Sequence, residues 1–284
     1  MIIRDMFVPV FANVGFEAQL DAASQLARQF NSHINVVFTR PDPATAAAAV
    51  PEMVVAGGVM LEAIEIEGKA AQAKAHVKFE AWRVANDLVA ADDEDCVQIV
   101  GASWYERVGL LEKAIIEIGR VSDLIIINYP DPYEPITDRA FAAAVFETGC
   151  PTLLVPKTLD GDFTRHIIIA WNGSLEAARA IDRAMPLLCK AERASIFTAP
   201  KAERDAGDLG LIRHLRWHGI RADHLSPEAD PGAVGAALID TAANENASMI
   251  VMGAYTHSRL RETLLGGVTR HVIKAAAIPV LMMH

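Results

Sequence analysis

Apolar and polar positions follow two alternating rhythms along this chain. In the second half, strands are predicted near Arg165 to Ala170, Ala194 to Thr198, Ile220 to Leu225, Met249 to Met252 and Ile278 to Met283, with continuous apolar runs such as IIIA and MIVM. Runs of that length suit strands buried on both faces. Between them, apolar residues return every three or four positions, the period of an amphipathic helix. Helices are therefore predicted near Leu175 to Lys190, Arg204 to His218, Pro231 to Asn246 and Val268 to Ala277. Regular alternation of strand and helix indicates an open parallel sheet with helices on both faces. In such sheets a ligand sits beyond the carboxyl ends of the strands, where strand order reverses. The turn after the first strand, Trp171-Asn172-Gly173-Ser174, would meet the end of the fourth strand at Gly253 there.

The same rhythm runs through the first half. A shift of 159 residues lays Asn13 on Asn172, Glu17 on Glu176 and Ala18 on Ala177, and continues to Phe38-Thr39 on Phe197-Thr198. Asp123-Leu-Ile-Ile-Ile matches Ser248-Met-Ile-Val-Met, and CPTLLV from Cys150 matches IPVLMM from Ile278. The chain is thus read as two copies of one fold, 1–157 and 163–284, joined by the Pro- and Gly-containing stretch VPKTLDGDFTR. The first copy carries an excursion over 41–91, whose part from Met60 to Asp87 has helical character and whose start, PDPATAAAAVPEMVVAGGV, reads as a loop or a further helical piece.

Composition narrows the classes. At 284 residues, 52% hydrophobic and 22% charged, the chain has material for two packed cores. Its net charge of −10 argues against nucleic acid and anionic membrane surfaces as partners. No apolar run approaches a membrane span, and MIIRDMFVPVF lacks the pattern of a signal peptide, so a cytoplasmic location is expected. Cys96, Cys150 and Cys189 form no CxxC and indicate neither a disulfide framework nor a thiolate metal site.

The candidate chemistry is concentrated in 249–284. Strand, Gly253, polar loop, Gly266-Gly267 and helix N-terminus is an arrangement suited to an anion, because glycines admit a close backbone and first-turn N–H groups favour phosphate. The spacing Gly253, Thr256, Gly266, Gly267 resembles that of the universal stress protein family, whose nucleotide-binding members carry Gly, two residues, Gly, nine residues, Gly, then Ser or Thr. Thr256 stands where the second glycine belongs and Gly267 where the small hydroxyl belongs; VTRHVIKAAAIPVLMM resembles the family's closing helix and strand. The resemblance implies an adenine nucleotide alpha hydrolase-like fold: two tandem open five-stranded parallel sheets of order 3-2-1-4-5. It also implies pairing of the copies through their last strands as an intramolecular pseudo-dimer, with a homodimer as a further expectation.

By the same resemblance, ATP or a related adenine nucleotide, with or without Mg²⁺, would be held by Ala170, Trp171, Asn172, Gly173, Ser174, Thr198, Met252, Gly253, Thr256, Gly266, Gly267, Val268 and Thr269. Asn172 occupies the position of a family Asp, keeping hydrogen-bonding reach without the charge. The plain alternative is that Asn172 and Ser174 only cap a helix, that Gly253 only ends a strand and that Gly266-Gly267 only admit a turn. His257, Arg259 and Arg261 either supply positive charge or form a solvated face. In the first copy Val14-Gly15 replaces Gly-Ser and the loop from Asn128 to Pro135 has no glycine, so nucleotide binding is not expected there. His214 and His218 share a helix face without an evident third metal ligand, and Asp92 to Asp95 read as a solvated turn. The leading expectation is a stress-response sensor or slow hydrolase; the alternative is a scaffold protein with both pockets altered, in which 41–91 contacts a partner.

Overall fold

The computed structural model describes residues 2–44, 58–90, 100–199, 206–230, 232–254 and 267–284. These divide into two compact units, Ile3–Cys150 and Pro151–His284 with Met1–Ile2. The first contains β1 (Asp5–Val10), α1 (Glu17–Phe30), β2 (His33–Arg40), α2 (Gly58–Ala85), β3 (Gly101–Val108), α3 (Leu111–Gly119), β4 (Leu124–Asn128) and α4 (Pro135–Glu147). The second contains β5 (Thr152–Val155), β6 (His166–Trp171), α5 (Leu175–Leu188), β7 (Arg193–Thr198), α6 (Ala206–Trp217), β8 (Ala222–Leu225), α7 (Val234–Asn244), β9 (Met249–Gly253), α8 (Gly267–Ala275) and β10 (Val280–Met283).

In the first unit the strands run β3-β2-β1-β4, in the second β8-β7-β6-β9-β10, the order 3-2-1-4-5. Both follow the predicted α/β plan. The pairs β1–β2, β1–β4 and β2–β3, and likewise β6–β7, β6–β9, β7–β8 and β9–β10, are parallel. β5 pairs antiparallel with β10, Leu154 opposite Val280, so PTLLV and PVLMM lie side by side within the second unit.

The unbroken apolar runs are the core strands. Ile167, Ile168 and Ile169 of β6 and Met249, Ile250 and Val251 of β9 are fully buried, as a sheet covered on both faces requires. Helix α5 turns Ala177, Ala180, Ile181 and Ala184 inward and packs on β9 and β10, while α7 and α8 pack on each other. The contact between α7 and α8 is close because Gly235 lies under His271, where a Cβ would come 2.8 Å from the His271 Cβ. Of the 41–91 excursion, 58–85 is helix, as its periodicity predicts; 45–57 lies outside the described residues.

At the amino-terminal edge of the second sheet, His166 Nε2 lies 2.9 Å from Ser195 Oγ and Nδ1 lies 3.1 Å from the Glu245 carbonyl oxygen. A carbonyl only accepts, so Nδ1 carries the proton and Nε2 accepts from the serine hydroxyl. Burial, followed by the nearby Arg193 guanidinium, holds this imidazole below its ordinary pKa. His166 therefore ties β6, β7 and the end of α7 together as a neutral ring.

Candidate functional site

β6 is the strand from which this sheet reverses. Its neighbours are β7 on one side and β9 on the other, with Trp171 opposite Thr198 and Ala170 opposite Met252. The chain leaves β6 towards β7 and leaves β9 towards β10, so the two exits diverge and open a crevice at the carboxyl ends. Both α5 and α8 follow parallel strands and run back antiparallel to them. Their N-termini, with the positive ends of their dipoles, therefore lie at this same end of the sheet.

The turn from β6 into α5 is built by its own polar residues. Gly173 takes φ of +76°, which glycine adopts without strain. The Ser174 N–H donates to Asn172 Oδ1 at 3.1 Å, and the Ala177 N–H donates to Ser174 Oγ at 3.1 Å. Ser174 is thus the N-cap of α5, and Glu176 lies in its first turn. Asn172 and Gly173 are exposed, while Ala170, Trp171 and Ser174 are half-buried.

Gly253 is fixed by packing. A Cβ there would lie 2.6 Å from the Ala177 nitrogen and 2.7 Å from the Glu176 carbonyl carbon, both backbone atoms of the first turn of α5. The end of β9 and the start of α5 are in contact only because this residue has no side chain. Beyond it Ala254 is buried, its N–H donating to the Met283 carbonyl at 2.8 Å. Met252 is buried, and Thr198 is buried with its hydroxyl 3.0 Å from His224 Nε2. On α8, Gly267 is exposed with open space where a Cβ would be, Val268 is half-buried and Thr269 is buried. Thr256, Gly266, His257, Arg259 and Arg261 lie outside the described residues, as do Asp92 to Asp95.

An open cavity of about 600 Å³ flanks the start of α7, lined by Glu228, Ala229, Asp230, Ala233, Ala236, Ala237 and Asp240. Its three carboxylates do not suit a phosphate. The rings of His214 and His218 are 4.9 Å apart, and no group of three or more His, Cys, Asp or Glu that could hold a metal ion occurs among the described residues. What the crevice offers is hydrogen bonding and helix-end electrostatics.

The first unit differs at the equivalent place. Asn128, which aligns with Gly253, ends β4 and donates from Nδ2 to the Gly15 carbonyl at 2.6 Å, joining the strand end to the turn before α1. At the start of α1 the carboxylate of Glu17 accepts the Phe16 N–H at 2.9 Å and receives Lys78 Nζ from α2 at 2.8 Å. The Lys78 hydrogen bond, partly opposed by burial, holds Glu17 below the usual carboxylate pKa. Glu176 is its counterpart in the first turn of α5, so both units carry a carboxylate there. The following loop closes on itself, with the Asp131 N–H donating to Thr137 Oγ1 at 2.7 Å and the Thr137 hydroxyl donating to the Glu134 carbonyl at 2.7 Å. Burial pushes the Tyr129 phenol upward. The absence of glycine announced part of this in the sequence; the roles of Glu17, Lys78 and Asn128 had no local signal.

Residues 164–284 match the model of the Universal stress protein family. Among solved structures, a universal stress protein from Archaeoglobus fulgidus DSM 4304 is 14% identical, with a TM-score of 0.70, over 98% of this chain and 95% of that one. A putative universal stress protein from Pseudomonas aeruginosa UCBPP-PA14 is 15% identical, with a TM-score of 0.56, over 99% of this chain and 93% of that one. A functionally unknown protein from Pseudomonas aeruginosa PAO1 is 15% identical, with a TM-score of 0.55, over 99% and 92%. At these identities the likeness establishes the fold. No curated protein matches the chain.

Proposed function

We propose, from the match of residues 164–284 to the Universal stress protein family model, that the second unit binds ATP or a related adenine nucleotide, one per chain, as a cytoplasmic sensor or regulator in a stress response. The observation that carries the reading is the contrast between equivalent crevices. In the second unit, Asn172 to Ser174, Gly253 and the N-termini of α5 and α8 converge at the carboxyl ends of β6 and β9. In the first, Asn128 stands in place of Gly253 and donates to the Gly15 carbonyl.

The phosphates would lie against the N-terminus of α8 at Gly267, Val268 and Thr269, with Gly266 and Thr256 in the preceding loop. The nucleoside would lie against Ala170, Trp171, Asn172, Gly173 and Ser174, near Thr198 and Met252. Mg²⁺ would then be carried by the phosphates. The activity proposed is binding rather than rapid turnover. The competing reading, a scaffold that binds no nucleotide, draws on Gly253, whose lack of a side chain is accounted for by the packing of α5 alone.

The test is calorimetric titration of ATP, with and without Mg²⁺, into the full chain and into Gly267→Asp. The new carboxylate would sit at a helix N-terminus, where it favours the helix while repelling a phosphate. A dissociation constant raised about tenfold or more, ~1.4 kcal/mol, with an unchanged melting temperature supports the site. Binding indifferent to the variant removes it.

A further inference from the structure

Helix α2 has a feature that its place in the fold does not explain. It is 28 residues long, about 42 Å at 1.5 Å per residue. One face packs on β2 and β3: Ala75 and Phe79 are buried, and the His76 ring stacks on Trp104 at 5.1 Å. The opposite face of a solvated helix carries charges. Here it carries Ala63, Ile66, Ala70, Ala73, Val77 and Val84, all exposed. Ile66, Val77 and Val84 keep 61%, 71% and 64% of their surface in solvent. At about 100° per residue these positions fall within an arc of roughly 80°. From Ala63 to Val77 they are spaced three, four, three and four apart, the spacing of a helix-pair seam.

The charge of the helix is polarised along its length: Glu62, Glu65 and Glu67 outnumber Lys69 in its first half, and Lys74, Lys78 and Arg83 outnumber Glu80 in its second. Glu62, Glu67, Lys69 and Lys74 border the seam. Lys78 is committed to Glu17 and Arg83 to Glu80, while Lys69 pairs with Glu65.

We infer that this face is an interface for a second copy of the chain, the two α2 helices packing antiparallel about a twofold axis. A parallel pair would set Glu62 against Glu67, and Lys69 against Lys74, of the second copy, like charge against like across the seam. An antiparallel pair with Ile66 opposite Val77 sets Glu67 near Lys74 of the second copy, and the twofold axis makes that contact twice. Branched side chains then meet at both ends of the contact. Ala70 and Ala73 lie at its centre, where small residues let the helices approach closely.

The test is sedimentation of the full chain over a concentration series. The wild type should form a dimer. Val77→Glu, at an exposed position that leaves the circular dichroism unchanged, should raise the dimer dissociation constant at least about tenfold, because it places a charge in the seam. Glu67→Lys and Lys74→Glu should each weaken the dimer, and the two together should restore it. A wild type that stays monomeric, a dimer indifferent to Val77→Glu, or a doubly swapped chain no tighter than the single variants would overturn the inference.

Discussion

Gly253→Ala and Gly267→Ala put the same methyl group at two glycines of the candidate crevice, and the structure assigns them opposite outcomes. At Gly253 the new Cβ would lie 2.6 Å from the Ala177 nitrogen, 2.7 Å from the Glu176 carbonyl carbon and 2.9 Å from the Glu176 Cβ. Two of the three are backbone atoms, so no side-chain rotation relieves the overlap; α5 has to move away from β9. Overpacking of this kind costs about 1–3 kcal/mol, and displacement of the first turn also puts the Ser174 cap at risk, worth ~1 kcal/mol. For a domain of this size each kcal/mol lowers the melting temperature by roughly 3–4 °C, so a loss of roughly 3–12 °C is expected. At Gly267 a Cβ meets nothing within 4 Å and the residue opens a helix. Alanine there should be neutral or stabilising by up to about 1 kcal/mol. Paired thermal and urea unfolding curves, followed by circular dichroism, make the comparison. Equal effects at the two positions would refute the reasoning that the first glycine is held by helix packing and the second is not.

Three further outcomes follow from local geometry. Ser174→Ala removes the acceptor for the Ala177 N–H and should cost about 1 kcal/mol in urea unfolding; Ser174→Asp should retain most of it. Asn128→Ala removes the bond to the Gly15 carbonyl and should cost about 0.5–1.5 kcal/mol without creating ATP binding in the first unit, since the glycine-free loop closed by Thr137 remains. His166 has a folded-state pKa below its ordinary 6.5, so below that pH the unfolded chain takes up the proton first. Its contribution is complete above pH 6.5 and is lost as the pH falls from there towards the folded value; urea midpoints across this window should fall on acidification, and less so in His166→Gln.

The strand and helix plan was legible because two periodicities, the apolar runs of β6 and β9 and the three-or-four spacing of α5 and α8, reflect burial directly. The edges were less so. Ile220 reads as strand, yet its N–H closes the end of α6 onto the Leu215 carbonyl and β8 begins at Ala222. The helix read from Pro231, itself outside the described residues, is seen from Val234, after the Ala233 N–H donates to the Asp230 carbonyl. The ties at this end of the first unit were invisible locally because they join residues far apart: Asn128 reaches Gly15 across 113 positions, and Lys78 reaches Glu17 across 61. The glycine at 253 was visible, but the helix pressed against it was not. One residue type therefore fitted both a ligand loop and a packing constraint.

The central claim is a single nucleotide site in the second unit, and the stoichiometry of ATP binding to the intact chain tests it most directly. Calorimetry should give one ATP per chain, unchanged by Glu17→Gln and weakened by Gly267→Asp. No binding at millimolar ATP, or two equivalents of which one is lost in a first-unit variant, would contradict the account.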